Sequence, residues 1–168
     1  MSTAYEMRSA WVALGLAGIA VGITSATARD FAEDPAQDIG WMSAQQAYPA
    51  GLKAEDGWYT MDGGLRWRYV DYAGSGEKPT LEDEVTVHYA GTFIDGETFD
   101  SSFERGEPAT FPLGRLIKAW QMAIPEMGVG DTIEIVAPAD LAYGPKGKGP
   151  IPGGATLLFT VKLIGIAE

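Results

Sequence analysis

Alternating apolar and polar positions dominate the chain from residue 65 onward. Leu65, Trp67 and Tyr69 alternate with Arg66 and Arg68 up to the turn cluster Ala73-Gly74-Ser75-Gly76, which predicts a strand with one buried face. Val85, Val87, Tyr89 and Phe93 point one way and Thr86, His88, Ala90 and Thr92 the other. Asp95-Gly96 then turns the chain into a partner strand at Thr98-Phe99. Thr110 to Leu113 reads as a further short extended piece. After the turn Gly128-Val129-Gly130-Asp131, Ile133, Ile135 and Ala137 alternate with Thr132, Glu134 and Val136, and Thr156 to Ile166 forms a final apolar strand beyond a long Gly/Pro loop, Pro138 to Gly154. One stretch breaks the two-residue period. Leu116-Ile117-Lys118-Ala119-Trp120, with Met122 and Ala123, carries i, i+3 and i+4 spacing and is stopped by Pro125, so it is predicted as the single helix. Several antiparallel strands with one short helix laid across a face make an α+β domain.

Upstream the texture differs. Ser9 to Ala28 is uncharged, and Ala10 to Ile23 is a nearly unbroken apolar run preceded by Arg8. The run is short of the roughly 20 residues a membrane span needs. It closes on Ser25-Ala26-Thr27-Ala28, an Ala-x-Ala site followed by Arg29 and Asp30. Residues 1–28 therefore read as a signal peptide for export, most simply to a periplasm, with a retained membrane anchor over residues 10–28 as the alternative. Residues 29–64 hold seven acids against Arg29 and Lys53, with Phe31, Trp41, Tyr48, Trp58 and Tyr59 at no clear period. This acidic lead-in reads either as a tail whose aromatics rest on the following domain or as an arm for a partner. The domain proper is expected at 65–168.

Composition removes whole classes of function. A net charge of -11 and the lack of any basic run disfavour nucleic acid and anionic membrane surfaces. The membrane enters only if the N-terminal segment is retained. Without cysteine there are no disulfides, thiolate nucleophiles or Cys-ligated zinc. There is no HExxH pair, no GxSxG elbow, and Gly144-Pro145-Lys146-Gly147-Lys148-Gly149 lacks the spacing of a phosphate-binding loop. The lone histidine, His88, lies on the strand face opposite Tyr89 with no serine placed by sequence logic to complete a triad, so it reads as structural. Asp95, Glu97 and Asp100 fail the glycine and terminal-glutamate requirements of a calcium loop. No metal or cofactor is expected.

What remains is a set of large apolar residues at the ends of separate elements: Tyr89, Phe99, Phe111, Ile117, Trp120, Tyr143, Ile151 and Phe159. They would converge if the sheet wraps the helix. Spacing does not separate a plain core from a ligand pocket, because aromatics serve both.

Ordered motifs separate them. Val85-Thr86-Val87-His88-Tyr89-Ala90-Gly91-Thr92 with Asp95-Gly96 and Phe99-Asp100-Ser101-Ser102 resembles the opening signature of the FKBP-type peptidyl-prolyl cis-trans isomerases, the macrolide-binding immunophilins. Arg105-Gly106 and Pro108, Phe111, Leu113-Gly114, Leu116-Ile117-Lys118-Ala119-Trp120, Met127-Gly128-Val129-Gly130, Leu141-Ala142-Tyr143-Gly144, Ile151-Pro152 and Ala155-Thr156-Leu157-Leu158-Phe159 follow in the family's order. The resemblance runs from about residue 64 to the end of the sequence. It implies a twisted antiparallel sheet wrapped around one short helix, and an isomerase acting on X-Pro bonds of unfolded or partly folded polypeptides, with macrolides as inhibitors; a proline-binding chaperone module with little turnover is the alternative.

By the same resemblance Trp120 is the floor of the proline pocket, and Tyr89, Phe99, Leu116, Ile117 and Phe159 are its walls. Tyr143 and Asp100 supply polar contacts. The Ile117 N–H and the Tyr143 hydroxyl would hold peptide carbonyls, Arg105 would partner Asp100, and Ile151 would sit on an overhanging loop. Phe111 is assigned to core and pocket alike. The implied catalytic group is thus Tyr89, Phe99, Asp100, Trp120, Tyr143 and Phe159, with Arg105, Phe111, Leu116, Ile117 and Ile151 binding substrate. Three departures stand out: Ala109 where many members carry an aromatic, Ala119 for the usual Gly before the Trp, and a loop from Gly144 to Ile151 about one residue shorter.

Overall fold

The computed structural model describes residues 35–74 and 76–167. The apolar run at 10–23, its Ala-x-Ala site and residues 29–34 lie outside them. Seven strands form one sheet: β1 (Tyr59–Thr60), β2 (Arg66–Asp71), β3 (Glu84–Phe93), β4 (Thr98–Ser101), β5 (Ala109–Pro112), β6 (Thr132–Ala137) and β7 (Leu157–Ala167). Their order is β1-β2-β6-β7-β3-β4, and β5 pairs with the start of β3 where β4 pairs with its end. Every pairing is antiparallel. The middle of the sheet is β7, which pairs along both flanks, with β6 and with β3.

The alternation read from the sequence fixes the faces. Val85, Val87, Ile133, Ile135, Val161 and Leu163 are fully buried, and Ala119, Trp120 and Ala123 of helix α3 (Lys118–Ala123) pack into the same core. Each of the valine, isoleucine and leucine side chains contributes roughly 1.5–3 kcal/mol. The preceding helix, α2 (Ser102–Arg105), is one turn long, capped by the Ser101 hydroxyl and ended by Gly106 at φ 77°. His88 anchors it. Its Nδ1 lies 3.0 Å from the Ser102 hydroxyl, which also accepts the Tyr89 N–H at 2.7 Å and donates to the Tyr89 carbonyl at 3.2 Å. The imidazole stacks on Phe103 with centroids 4.9 Å apart. The one histidine is thus used up in holding α2 against β3.

The lead-in contains a helix that the reading above leaves out, so α3 is not the single long helix of the domain. Helix α1 covers Ile39–Ala50, with the Asp38 carboxylate accepting the Trp41 N–H at 2.8 Å. Its sequence, Ile-Gly-Trp-Met-Ser-Ala-Gln-Gln-Ala-Tyr-Pro-Ala, has no continuous apolar stripe and carries Pro49 in its last turn, which hides it from a periodicity argument. The helix is held by a polar tie instead. Gln45 is buried; its Oε1 accepts the Thr156 N–H at 2.9 Å, and its carbonyl accepts the Thr156 hydroxyl at 2.7 Å. The end of α1 and the following turn lie on the sheet face opposite α3, where Tyr48, Leu52 and Trp58 share a cleft with Thr92, Val136, Leu158 and Thr160. This explains why Val136, outward by parity, is buried.

Candidate functional site

On the α3 side, nine residues enclose a pocket of about 180 Å³: Tyr89, Phe99, Asp100, Phe111, Leu116, Ile117, Trp120, Tyr143 and Phe159. That is below the roughly 300–1,000 Å³ of sites for drug-sized ligands, and it fits one small ring better than an extended molecule. Trp120, 5% exposed, is the floor. Three rings meet it edge-on: Tyr89 at 5.3 Å, Phe159 at 5.5 Å and Phe111 at 6.4 Å between centroids, with interplanar angles of 80°, 86° and 77°. Edge-to-face packing suits the ring quadrupoles. It also fixes the Trp120 ring on all three sides. The indole Nε1–H is buried without an acceptor among the described residues.

Strand geometry sets the walls. The register between β3 and β4 shifts from Gly91–Asp100 to Thr92–Thr98, so Phe99 sits in a bulge. A bulge bends its strand and re-aims the side chain it carries. Gly91 makes room for the result: a Cβ there would lie 2.5 Å from Phe99 Cζ and 3.2 Å from Phe159 Cε1. Phe99 can therefore stand edge-on to Phe159, with centroids 5.8 Å apart, and close one side of the pocket. A glycine inside an alternating strand is the sequence signal for such a close approach.

The polar side of the pocket is a three-residue network. The Tyr89 hydroxyl donates to Asp100 Oδ2 at 2.5 Å, and Arg105 Nη1 pairs with Asp100 Oδ1. Arg105 Nη2 donates to the Tyr89 oxygen at 3.0 Å, while its guanidinium carbon lies 5.5 Å from the Tyr89 ring centroid. Burial alone would raise the Asp100 carboxyl. The Tyr89 hydroxyl and the Arg105 guanidinium outweigh burial and hold it below the ordinary aspartate value. Tyr89 is raised by burial and by its bond to Asp100, against the opposing pull of Arg105. Asp100 is thus a carboxylate, and Tyr89 a phenol, across the whole neutral range.

Besides the Trp120 indole, two further donors lack acceptors among the described residues. The Ile117 N–H, at the N-cap of α3, has no acceptor among the described residues, since Ile117 uses only its carbonyl, for the N–H groups of Trp120 and Gln121. Gln121 in turn braces the approach to α3 by donating from Nε2 to the Leu116 carbonyl at 2.6 Å. The Tyr143 hydroxyl likewise has no acceptor, and burial and then Asp100 push it above the ordinary tyrosine value, so it stays protonated. Lys148 Nζ lies 5.7 Å from the Tyr143 ring centroid.

Of the eleven residues singled out from the sequence, nine line this pocket. Arg105 reaches it through Asp100 and Tyr89. Ile151 does not line it: its N–H and carbonyl bond to Lys148, which pins the loop and turns Ile151 into the core at 7% exposure. Phe111 belongs to the pocket. Gln121, and Gly91 beyond its place in a motif, are contributors to which the sequence reading assigns no role.

Comparison with known proteins gives this geometry its context. The profile described as FKBP-type peptidyl-prolyl cis-trans isomerase matches residues 75–164. The peptidyl-prolyl cis-trans isomerase Mip of Coxiella burnetii is 45% identical over 124 residues, covering 73% of this chain and 54% of the relative. The outer membrane protein MIP of Legionella longbeachae is 43% identical over 123 residues, covering 73% and 52%. The chain spans about half the length of the curated relatives it matches. The crystal structure of FkpA from Escherichia coli aligns at a TM-score of 0.70 and 38% identity over 74% of this chain and 58% of the other. A peptidyl-prolyl cis-trans isomerase structure from Pseudomonas syringae pv. tomato aligns at 0.69 and 32% identity over 76% and 93%. With an antiparallel sheet wrapped on a short helix, a ring-lined pocket on that helix and the profile covering more than half of its length, the chain belongs to the FKBP-type peptidyl-prolyl cis-trans isomerase family.

Proposed function

We propose that this chain catalyses cis-trans isomerisation of X-Pro bonds in unfolded or partly folded polypeptides outside the cytoplasm. One observation carries the reading: a ring-walled pocket open to solvent above Trp120, lined also by Ile117 and Tyr143, whose N–H and O–H have no acceptor among the described residues. An X-Pro bond rotates over a barrier near 18–20 kcal/mol because rotation breaks amide resonance, while its two end states differ by only about 0.5–1 kcal/mol. No bond is made or broken. The twisted amide has lost conjugation and with it part of the charge separation of the planar form. An apolar pocket therefore penalises the planar form more, and each 1.36 kcal/mol of that difference gives about tenfold in rate. The proline ring packs on Trp120 between Phe99, Phe159 and Tyr89. Ile117 N–H and Tyr143 O–H bond the neighbouring carbonyls, which fixes one side of the bond while the other turns. Asp100 and Arg105 hold the Tyr89 wall in place.

Residues 65–168 are the proposed isomerase domain and 29–64 its lead-in; residues 1–28 are the proposed export signal, with periplasmic delivery the simplest outcome. Macrolides are the proposed inhibitors, through the same pocket. Exchange NMR on short X-Pro peptides with the full chain tests the activity. Folded Trp120→Ala and Asp100→Ala variants should lose most of the enhancement. A well-folded wild type that accelerates no X-Pro peptide would overturn the reading. Cell fractionation tests the export signal, since an unprocessed chain in the cytosolic fraction would refute it.

A further inference from the structure

A second cleft, of about 610 Å³, begins where the proline pocket ends. Phe99 lines both. From Phe99 the cleft runs past Phe93 and the β3–β4 turn to Pro152 on one side and to Trp41 of α1 on the other. Trp41 is half-buried and packs beside Gly154, so α1 supplies a wall that lies outside residues 75–164. The lining is apolar, but Asp95 and Glu97 stand exposed on it and no Lys or Arg does. One Asp95 oxygen accepts the Glu97 N–H at 3.0 Å, and neither carboxylate has a cationic partner among the described residues.

We propose that this cleft is a specificity subsite for the chain that continues from the bound proline, and that it selects a segment carrying an apolar residue with a Lys or Arg beside it. The proposal rests on the isomerase reading of the neighbouring pocket. Continuity is given by a run of rings, Trp120 to Phe159 at 5.5 Å, Phe159 to Phe99 at 5.8 Å and Phe99 to Phe93 at 5.1 Å. An extended chain covers roughly 3.3–3.6 Å per residue, so it reaches the cleft within about five residues of the proline. Charge decides the occupant. Two unpaired carboxylates at the mouth of an apolar groove attract a cation whose stem can lie along the rings. By sequence, residues 29–34 hold Arg29 against Asp30, Glu33 and Asp34, so the chain's own segment has the same net sign as the rim.

The test compares a four-residue X-Pro peptide, which fills only the pocket, with ten-residue peptides extended on either side and bearing Lys or Glu about three to five residues from the proline. The full chain, an Asp95→Asn/Glu97→Gln variant, a Trp41→Ala variant and an Asp71→Asn/Glu82→Gln control are assayed at low and high salt. On wild type, one of the two Lys series should show KM lower by about fivefold or more than its Glu counterpart, and high salt should shrink that gap. Asp95→Asn/Glu97→Gln should abolish the gap and Trp41→Ala should weaken binding of both long peptides. The charge control should keep the gap, and all four proteins should turn over the short peptide alike. Short-peptide turnover intact with no Lys preference, or a preference equally lost in the control, overturns the subsite and leaves the isomerase reading standing. No turnover of the short peptide by wild type would overturn that reading instead.

Discussion

The two faces of the sheet are built by different means. On the α3 face, apolar side chains at every second strand position close over Trp120, and the pocket is a gap left in that packing. On the other face, α1 is tied by two hydrogen bonds that Thr156 donates to Gln45, and few of its side chains are buried. Non-directional burial leaves the exact site to shape. Hydrogen bonding leaves it to one residue pair. The first face should therefore be sensitive to volume and the second to polarity, and damage to one should leave the other readable.

The largest effect is expected from Trp120→Ala, which removes the pocket floor from the core and should lower stability by about 3–5 kcal/mol in urea titration, with isomerisation of short peptides lost. Gly91→Ala sharpens the contrast. Its new methyl meets the Phe99 ring, which must swing toward the pocket; overpacking of this kind costs about 1–3 kcal/mol, and turnover should fall further than stability does. Gln45→Ala attacks the opposite face. It leaves the buried Thr156 N–H without its acceptor and should cost about 1–3 kcal/mol, with α1 amides losing hydrogen-exchange protection while short-peptide turnover stays near wild type. If Gln45→Ala abolishes turnover, the two faces are not independent. The smallest effect is in the pH profile. The folded Asp100 carboxyl lies below its unfolded value, so its stabilising contribution is fully present above the unfolded value and is lost as pH falls through the folded one. Thermal melts of wild type and Asp100→Asn should diverge least at low pH and run parallel from about pH 5 upward.

The same contrast decides how much could be read from the sequence. Period-two alternation is imposed by one-sided burial, so β2, β3, β6, β7 and the pocket rings carried on them were legible. The family motifs then marked which rings face the cavity. The direction Ile151 takes from its overhanging loop was not legible, because a Gly/Pro loop has no period and only the Lys148 pairing shows which way it turns. Helix α1 was illegible for a related reason: a helix held by one buried glutamine needs no apolar stripe, and Asp38 at its cap was the sole local mark. Gly91 was visible as a residue but its use was not, since the demand on it comes from Phe99 in another strand.

The tie between Gln45 and Thr156 crosses 111 positions of sequence, and it lands beside β7, which fills the middle of the sheet although it is the last strand to be made. Until that strand arrives, β6 and β3 have no common neighbour, and Gln45 of α1 gains its Thr156 partner only just before it. Such non-local closure is slow relative to helix formation. The domain thus cannot assemble piecemeal during synthesis: α1 waits for Thr156 to be made before its buried glutamine is satisfied, and β3 waits longer still for its partners along Leu157–Ala167.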